Sequence, residues 1–179
     1  MIVGHLGVAA ALAAARPRTD LRWLLPAAIA PDLLDVAYAA SGICNPYGLF
    51  SHSLPAAALL GAVCGGCALL ARGRETGLLV SLVVLLHLPM DFVTGNKLFW
   101  PGGEMHGLLL YHQPALDFLV EVAIAACGWW LLRRRAAAPR WATSALALLA
   151  MILVQAAFDV IDAPGGVKPT ACVATAAPL

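Results

Sequence analysis

Few residues of this 179-residue chain have chemistry to offer, and the first are in His87-Leu88-Pro89-Met90-Asp91. An imidazole and a carboxylate four residues apart on a helix share one face, about 6 Å apart along the axis. At that spacing both can bind one ion. Pro89 removes an amide donor between them and clashes with the preceding turn, so a bend is expected there. The stretch closes an apolar run that starts near Gly77, where lipid would tolerate neither group. Asp32 and Asp35, three apart and directly after Pro31, form a second pair on one helix face. His5, His52 (between Ser51 and Ser53) and Glu121 are further polar residues set in apolar surroundings. Together they offer the nitrogen and oxygen donors of a divalent-metal site, zinc first, manganese or iron next.

The elements that must position them follow from composition. The chain is 61% hydrophobic and only 12% charged, where a soluble domain carries about 25% charged residues. The expected class is therefore all-α, a polytopic integral membrane bundle of about six transmembrane helices. The apolar runs fall at 2–15, 21–40, 54–71, 77–93, 114–132 and 141–161, with a long loop at 95–113. Residues 1–162 read as a single transmembrane helical domain, and 163–179, rich in proline and glycine, as a disordered tail. The arginines come in short clusters between apolar runs, so the chain has no basic face for nucleic acid.

Threading six helices puts Arg16, Arg18, Arg22, Arg72, Arg74, Arg133, Arg134, Arg135 and Arg140 on one side, and only Lys97 and Lys168 on the other. The basic side is cytoplasmic, which sets both termini on the outer, periplasmic side. Counting ~1.5 Å per residue from the cytoplasmic helix ends puts Asp32 and His87 at about 15 Å, and Asp35 and Asp91 at about 21 Å. Glu121, on an inward-running helix, lies about 12 Å below the outer face. His5 and His52 belong to the outer ends of their helices. The polar residues thus converge on one layer that the cytoplasmic arginines cannot reach. A carboxylate there must be protonated, paired or bound to a cation.

Other polar residues read more plainly. His106 and His112 are expected in solvent, as are Asp117, Asp159 and Asp162 near outer helix ends. Ser51 or Ser53 is a candidate helix cap. Cys64-Gly-Gly-Cys67 has redox spacing but no neighbouring charge, and Gly61 and Gly65 explain the stretch as close helix packing. Cys44 and Cys172 share the oxidising side, but no disulfide is assigned.

The ordered set His5, Ala30-Pro31-Asp32-Leu33-Leu34-Asp35, Ser51-His52-Ser53 and His87-Leu88-Pro89-Met90-Asp91 resembles the YdjM-like family of LexA-binding, inner-membrane, metal-dependent hydrolases. The resemblance covers roughly residues 2 to 132. It implies a fold distantly similar to the all-α, zinc-dependent phospholipase C and P1-type nuclease group, whose members cleave phosphoesters with metals held by His and Asp. Many family members carry a His-Arg pair before the Ser/Thr-His step, where this chain has Asn45-Pro46-Tyr47-Gly48.

The leading expectation is a metal-dependent hydrolase of the bacterial inner membrane that opens to the periplasm. His5, His52, His87, Asp91 and Asp35 would bind the metal. Asp32 would be a further ligand or a ligand's partner, and Asp32 or Glu121 the general base. Its substrate would be a lipid-linked or envelope phosphoester. Two rivals remain: a metal-ion or proton transporter, and a non-catalytic scaffold whose polar layer holds helices together.

Overall fold

The computed structural model describes residues 2–16 and 18–161, so the expected disordered tail and Asp162 lie outside the described residues. The chain is mostly helical. In order it forms α1 (Val3–Ala15), α2 (Leu21–Ala28), α3 (Ala30–Ala40), a 3-10 turn (Pro46–Gly48), α4 (Leu49–His52), α5 (Leu54–Arg72) and α6 (Arg74–Thr94). A two-residue hairpin of β1 (Lys97–Leu98) and β2 (Met105–His106) follows, then α7 (Pro114–Arg133), α8 (Arg140–Thr143) and α9 (Ala145–Ile161).

Three helical segments are long and apolar enough to cross a membrane: Pro46–Arg72, Arg74–Thr94 and Pro114–Arg133. The pair α2 and α3, bent by 54°, makes a fourth if it counts as one span. α1 and α9 are apolar but have 13 and 17 residues. At 1.5 Å per residue, α1 is about 20 Å long against a hydrocarbon core of about 30 Å. The break at Ile29 follows from Pro31, which has no N–H for the Ala27 carbonyl and clashes with it, and which suits the first turn of α3. Pro89, by contrast, sits within one continuous helix. The run read as a sixth helix is also divided, at Ser144, whose hydroxyl accepts from Ala147 N at 3.1 Å and so caps α9.

Small residues bring the helices together in two pairs. α5 packs on α6 at Gly61 and Gly65, as their spacing suggested. A Cβ on Gly65 would lie 2.8 Å from Gly77 O, and Ser81 Oγ donates to Gly61 O at 2.9 Å. α1 crosses α7 at Gly7 and Gly128, where a Cβ on Gly128 would fall 1.9 Å from Gly7 O. α2 lies between the pairs and packs on α1 and α6. Without a hydrophobic drive in lipid, such backbone contact is what holds helices. Large apolar side chains point outward along α5, α6 and α9, among them Leu59, Val63, Leu70, Leu78, Leu146 and Leu153. At the basic end, Arg134 stacks over the Trp130 ring at 3.5 Å and Arg135 Nη1 donates to Ala13 O at 2.9 Å, closing the C-terminus of α1.

Cys44, in the loop after α3, is disulfide-bonded. This corrects the sequence reading, which assigned no disulfide because Cys172 falls in the tail expected to be disordered; spacing alone does not show which thiols a fold brings together.

Candidate metal centre

Each element delivers its polar residue to one place. α6 presents His87 and Asp91 from one face, one turn apart. α3 presents Asp32 from its first turn. His52 arrives at the end of α4, after the chain turns back through Tyr47 and Gly48 with positive φ (54° and 74°). A Cβ on Gly48 would lie 3.2 Å from His52 Nδ1, so glycine suits both the turn and the contact. Ser53 then caps α5 by accepting from Ala56 N at 3.3 Å, which ends α4 with the His52 ring turned inward. His5, His52, His87 and Asp91 are all buried.

His52 Nε2 lies 3.2 Å from His87 Nε2, 3.3 Å from Asp32 Oδ1 and 3.2 Å from Asp91 Oδ2. His87 Nε2 is 3.6 Å from Asp32 Oδ1 and 3.5 Å from Asp91 Oδ2. Ligands about 2.0–2.2 Å from a tetrahedral ion stand about 3.3–3.6 Å from one another. Asp32 Oδ1, His52 Nε2 and His87 Nε2 therefore stand close to the donor spacing of such an ion, and Asp91 Oδ2 lies at similar distances from both rings.

The far side of each ring fixes its protons. His87 Nδ1 is 2.9 Å from the carbonyl of Ala28, the last residue of α2. A helix end leaves such acceptors without an intrahelical donor, and the imidazole N–H fills this one. His52 Nδ1 is 2.7 Å from Ser51 Oγ, which donates to Asp35 Oδ1 and accepts from Asn45 Nδ2 at 2.8 Å. With both Nδ1 atoms donating, as the hydrogen-bond network assigns them, the Nε2 atoms of the neutral rings turn lone pairs toward each other and toward two carboxylates. Such acceptors repel unless a proton or a cation sits among them.

The structure brings the sequence-predicted residues to different positions in this arrangement. His5 stacks on the His87 ring, centroids 3.7 Å apart, with its Nε2 3.3 Å from His87 O and 3.8 Å from Asp91 Oδ1. It forms a second group of possible donors with His87 and Asp91. Asp35 stands behind His52, with Oδ2 3.4 Å from His52 Nδ1. It is outside both groups of convergent donors, Asp32/His52/His87 and His5/His87/Asp91. Glu121 is fully buried and accepts from Gly4 N at 2.9 Å, which ties α7 to the start of α1.

A cavity of about 430 Å³ opens beside the cluster, lined on one side by Asp32, Asp35, Asp91 and Lys97 and on the other by Asp117, Gln155 and Asp159. Asp117 is buried and Asp159 is half-buried. The expectation that Asp117 faces open solvent is therefore corrected, because α9 packs against α7. His106 and His112 are exposed, as expected. Sequence reasoning gave Lys97, Asn45 and Gln155 no part. The signal for Lys97 was its being one of only two basic residues off the arginine side; Asn45 and Gln155 gave none.

The sequence comparison agrees with the fold. Residues 1–162 match the model of the family described as YdjM inner membrane protein, and the chain belongs to that family. It is a multi-pass inner membrane protein. No curated protein and no solved structure matches it.

Proposed function

We propose that this YdjM-family protein is a metal-dependent hydrolase that cleaves a phosphoester at the outer face of the membrane. One observation carries the reading. The Nε2 atoms of His52 and His87 and one oxygen of Asp32 converge at metal-ligand spacing beside a cavity, with Asp91 Oδ2 within 3.5 Å of both rings. Two imidazoles and two carboxylates form a donor set that zinc accepts, with manganese or iron as lesser fits. A bound divalent cation supplies Lewis-acid activation of water, making it a nucleophile near neutral pH.

The chain's own residues do the rest. Asp32, His52, His87 and Asp91 hold the ion. Asp35 and Ser51 fix the His52 ring from behind, and the Ala28 carbonyl fixes His87, the outer support that ligating histidines depend on. His5 packs against His87 and steadies the second oxygen of Asp91. Asp32 is bound through Oδ1, and its buried Oδ2 has no hydrogen-bond partner among the described residues, so it is the group free to take a proton. Glu121 serves as a brace for α1. The apolar helices surround the cluster and exclude water except through the cavity. We read the short apolar helices α1 and α9 as additional passes. That gives six in all, with both termini and the cavity on the side opposite the arginines. Its substrate is then an envelope or lipid-linked phosphoester.

The test is elemental analysis of detergent-purified protein, wild type beside Asp32→Asn/Asp91→Asn, which keeps side-chain shape. About one equivalent of zinc or manganese, lost in the double variant, supports the reading and justifies screening phosphoesters. Absence of stoichiometric metal after reconstitution sinks it, leaving a polar layer that holds helices together.

A further inference from the structure

We infer that Lys97 is the residue that positions the substrate, its ammonium holding the phosphate group of the ester inside the cavity. The inference rests on the hydrolase reading and adds the chemistry by which the site would recognise its substrate. Among the described residues lining the cavity, Lys97 is the only lysine or arginine. Its Nζ lies 3.8 Å from Asp91 Oδ2, beyond the ~2.7–2.9 Å of a charged hydrogen bond. That oxygen already faces both His52 Nε2 and His87 Nε2. The ammonium is thus held beside the cluster by a long ion pair to Asp91 and makes no close hydrogen bond to that oxygen.

Charge makes the assignment selective. Asp32, Asp35, Asp91, Asp117 and Asp159 border the same space, and carboxylates repel any anion. A divalent cation and one ammonium offset only part of that charge, so an anionic group that enters must be held on the side where Lys97 stands. Lysine recognises phosphate as a point charge and needs no planar geometry from the ligand. The cavity's volume of about 430 Å³ falls in the ~300–1,000 Å³ range of small-molecule sites.

The backbone keeps this ammonium where it is. Lys97 pairs with His106 across the β1–β2 hairpin. The loop carrying it is anchored by Phe99 O accepting from Leu54 N at 2.8 Å and by Leu108 N donating to Phe92 O at 2.8 Å. Both ends of the site, α5 and α6, are thereby tied to the segment that bears Lys97.

The experiment titrates zinc-loaded, detergent-solubilised protein with inorganic phosphate and, in parallel, with dihexanoyl phosphatidate, for wild type, Lys97→Met and Lys97→Arg. Metal content is measured on every sample. The expected result is unchanged metal stoichiometry, phosphate affinity lowered about tenfold or more in Lys97→Met, and retention within about threefold in Lys97→Arg. If the phosphatidate is held more tightly and depends equally on Lys97, the source is a lipid headgroup. Equal affinities for the two probes assign a soluble ester. Full metal with unchanged phosphate binding in Lys97→Met overturns the inference alone. Loss of metal in Lys97→Met overturns it too, because Lys97 would then belong to the cluster's integrity. A wild type that holds no metal removes the hydrolase reading and this inference with it.

Discussion

Asp35 is the residue whose substitution separates two roles most sharply. The sequence suggests a metal ligand, whereas the structure has its Oδ2 3.4 Å from the outer nitrogen of His52 and its Oδ1 accepting from Ser51 and Asn45. Asp35→Asn keeps the shape and an acceptor oxygen but removes the negative charge that makes His52 a better donor to a cation. Losing an outer carboxylate of this kind costs about 10–100-fold in metal affinity, or about 1.4–2.7 kcal/mol. The Asp35 side chain is 34% exposed, so water replaces part of its effect and the low end, about tenfold, is expected. Competition against a chromophoric zinc chelator in detergent measures this, with Asp91→Asn as the comparison. Loss of zinc as complete as in Asp91→Asn would show that Asp35 binds the ion directly. Affinity equal to wild type would show that the Asp35–Ser51–His52 chain does not act on the ion.

Three further outcomes test the frame around the site. Gly128→Ala puts a Cβ 1.9 Å from Gly7 O, a backbone atom that cannot step aside. It should cost about 1–3 kcal/mol and lower the melting temperature in detergent by several degrees. Gly66→Ala, with nothing within 4 Å of the new Cβ, should leave the melting temperature unchanged or raise it slightly, because alanine is the better helix former. Gly48→Ala combines φ +74 with a contact 3.2 Å from His52 Nδ1, so it should lose about 1–2 kcal/mol of stability and also weaken zinc binding. Gly42→Ala shares the positive φ with open space around it and should weaken stability alone; zinc binding reduced equally in both would refute the contact argument. Zinc affinity should fall steadily as pH drops from neutral toward 5, because His52 and His87 must each keep a lone pair for the ion and protons compete for it. A chelator titration giving the same affinity at both pH values would rule these imidazoles out as ligands.

Much of this arrangement could be read before any coordinates, because a membrane makes polar residues conspicuous and helix geometry fixes their depth. His87 and Asp91 share a face by spacing alone. Counting residues from the arginine-rich ends set Asp32 level with His87, and the two do meet. Gly61 and Gly65 announced a close helix contact, whereas Pro89, where a bend was expected, sits within one continuous helix. What spacing does not carry is rotation and return paths. Asp32 and Asp35 share a face, yet only the fold decides that one oxygen turns to the His52 Nε2 side and the other to its Nδ1 side. Lys97 enters through a hairpin held by contacts with Leu54 and Phe92, which no local pattern encodes. Asp117 looked solvent-facing at a helix end until α9 folded over it. The number of passes was the hardest to read, since α1 and α9 are apolar without being long.

The hydrogen bond from His87 to the Ala28 carbonyl has a mechanical meaning. A helix broken within a bilayer leaves carbonyls that water cannot reach, and each one left open costs several kcal/mol. Here the ring that closes the break between α2 and α3 also faces the proposed ion. The bend is a latch, and the imidazole is its bolt. By reciprocity, anything that steadies the bolt steadies the bend, and anything that straightens the span loosens the grip on the ion. A change in bilayer thickness that alters the 54° angle would then be felt at the centre as a change in metal affinity, without any lipid touching it.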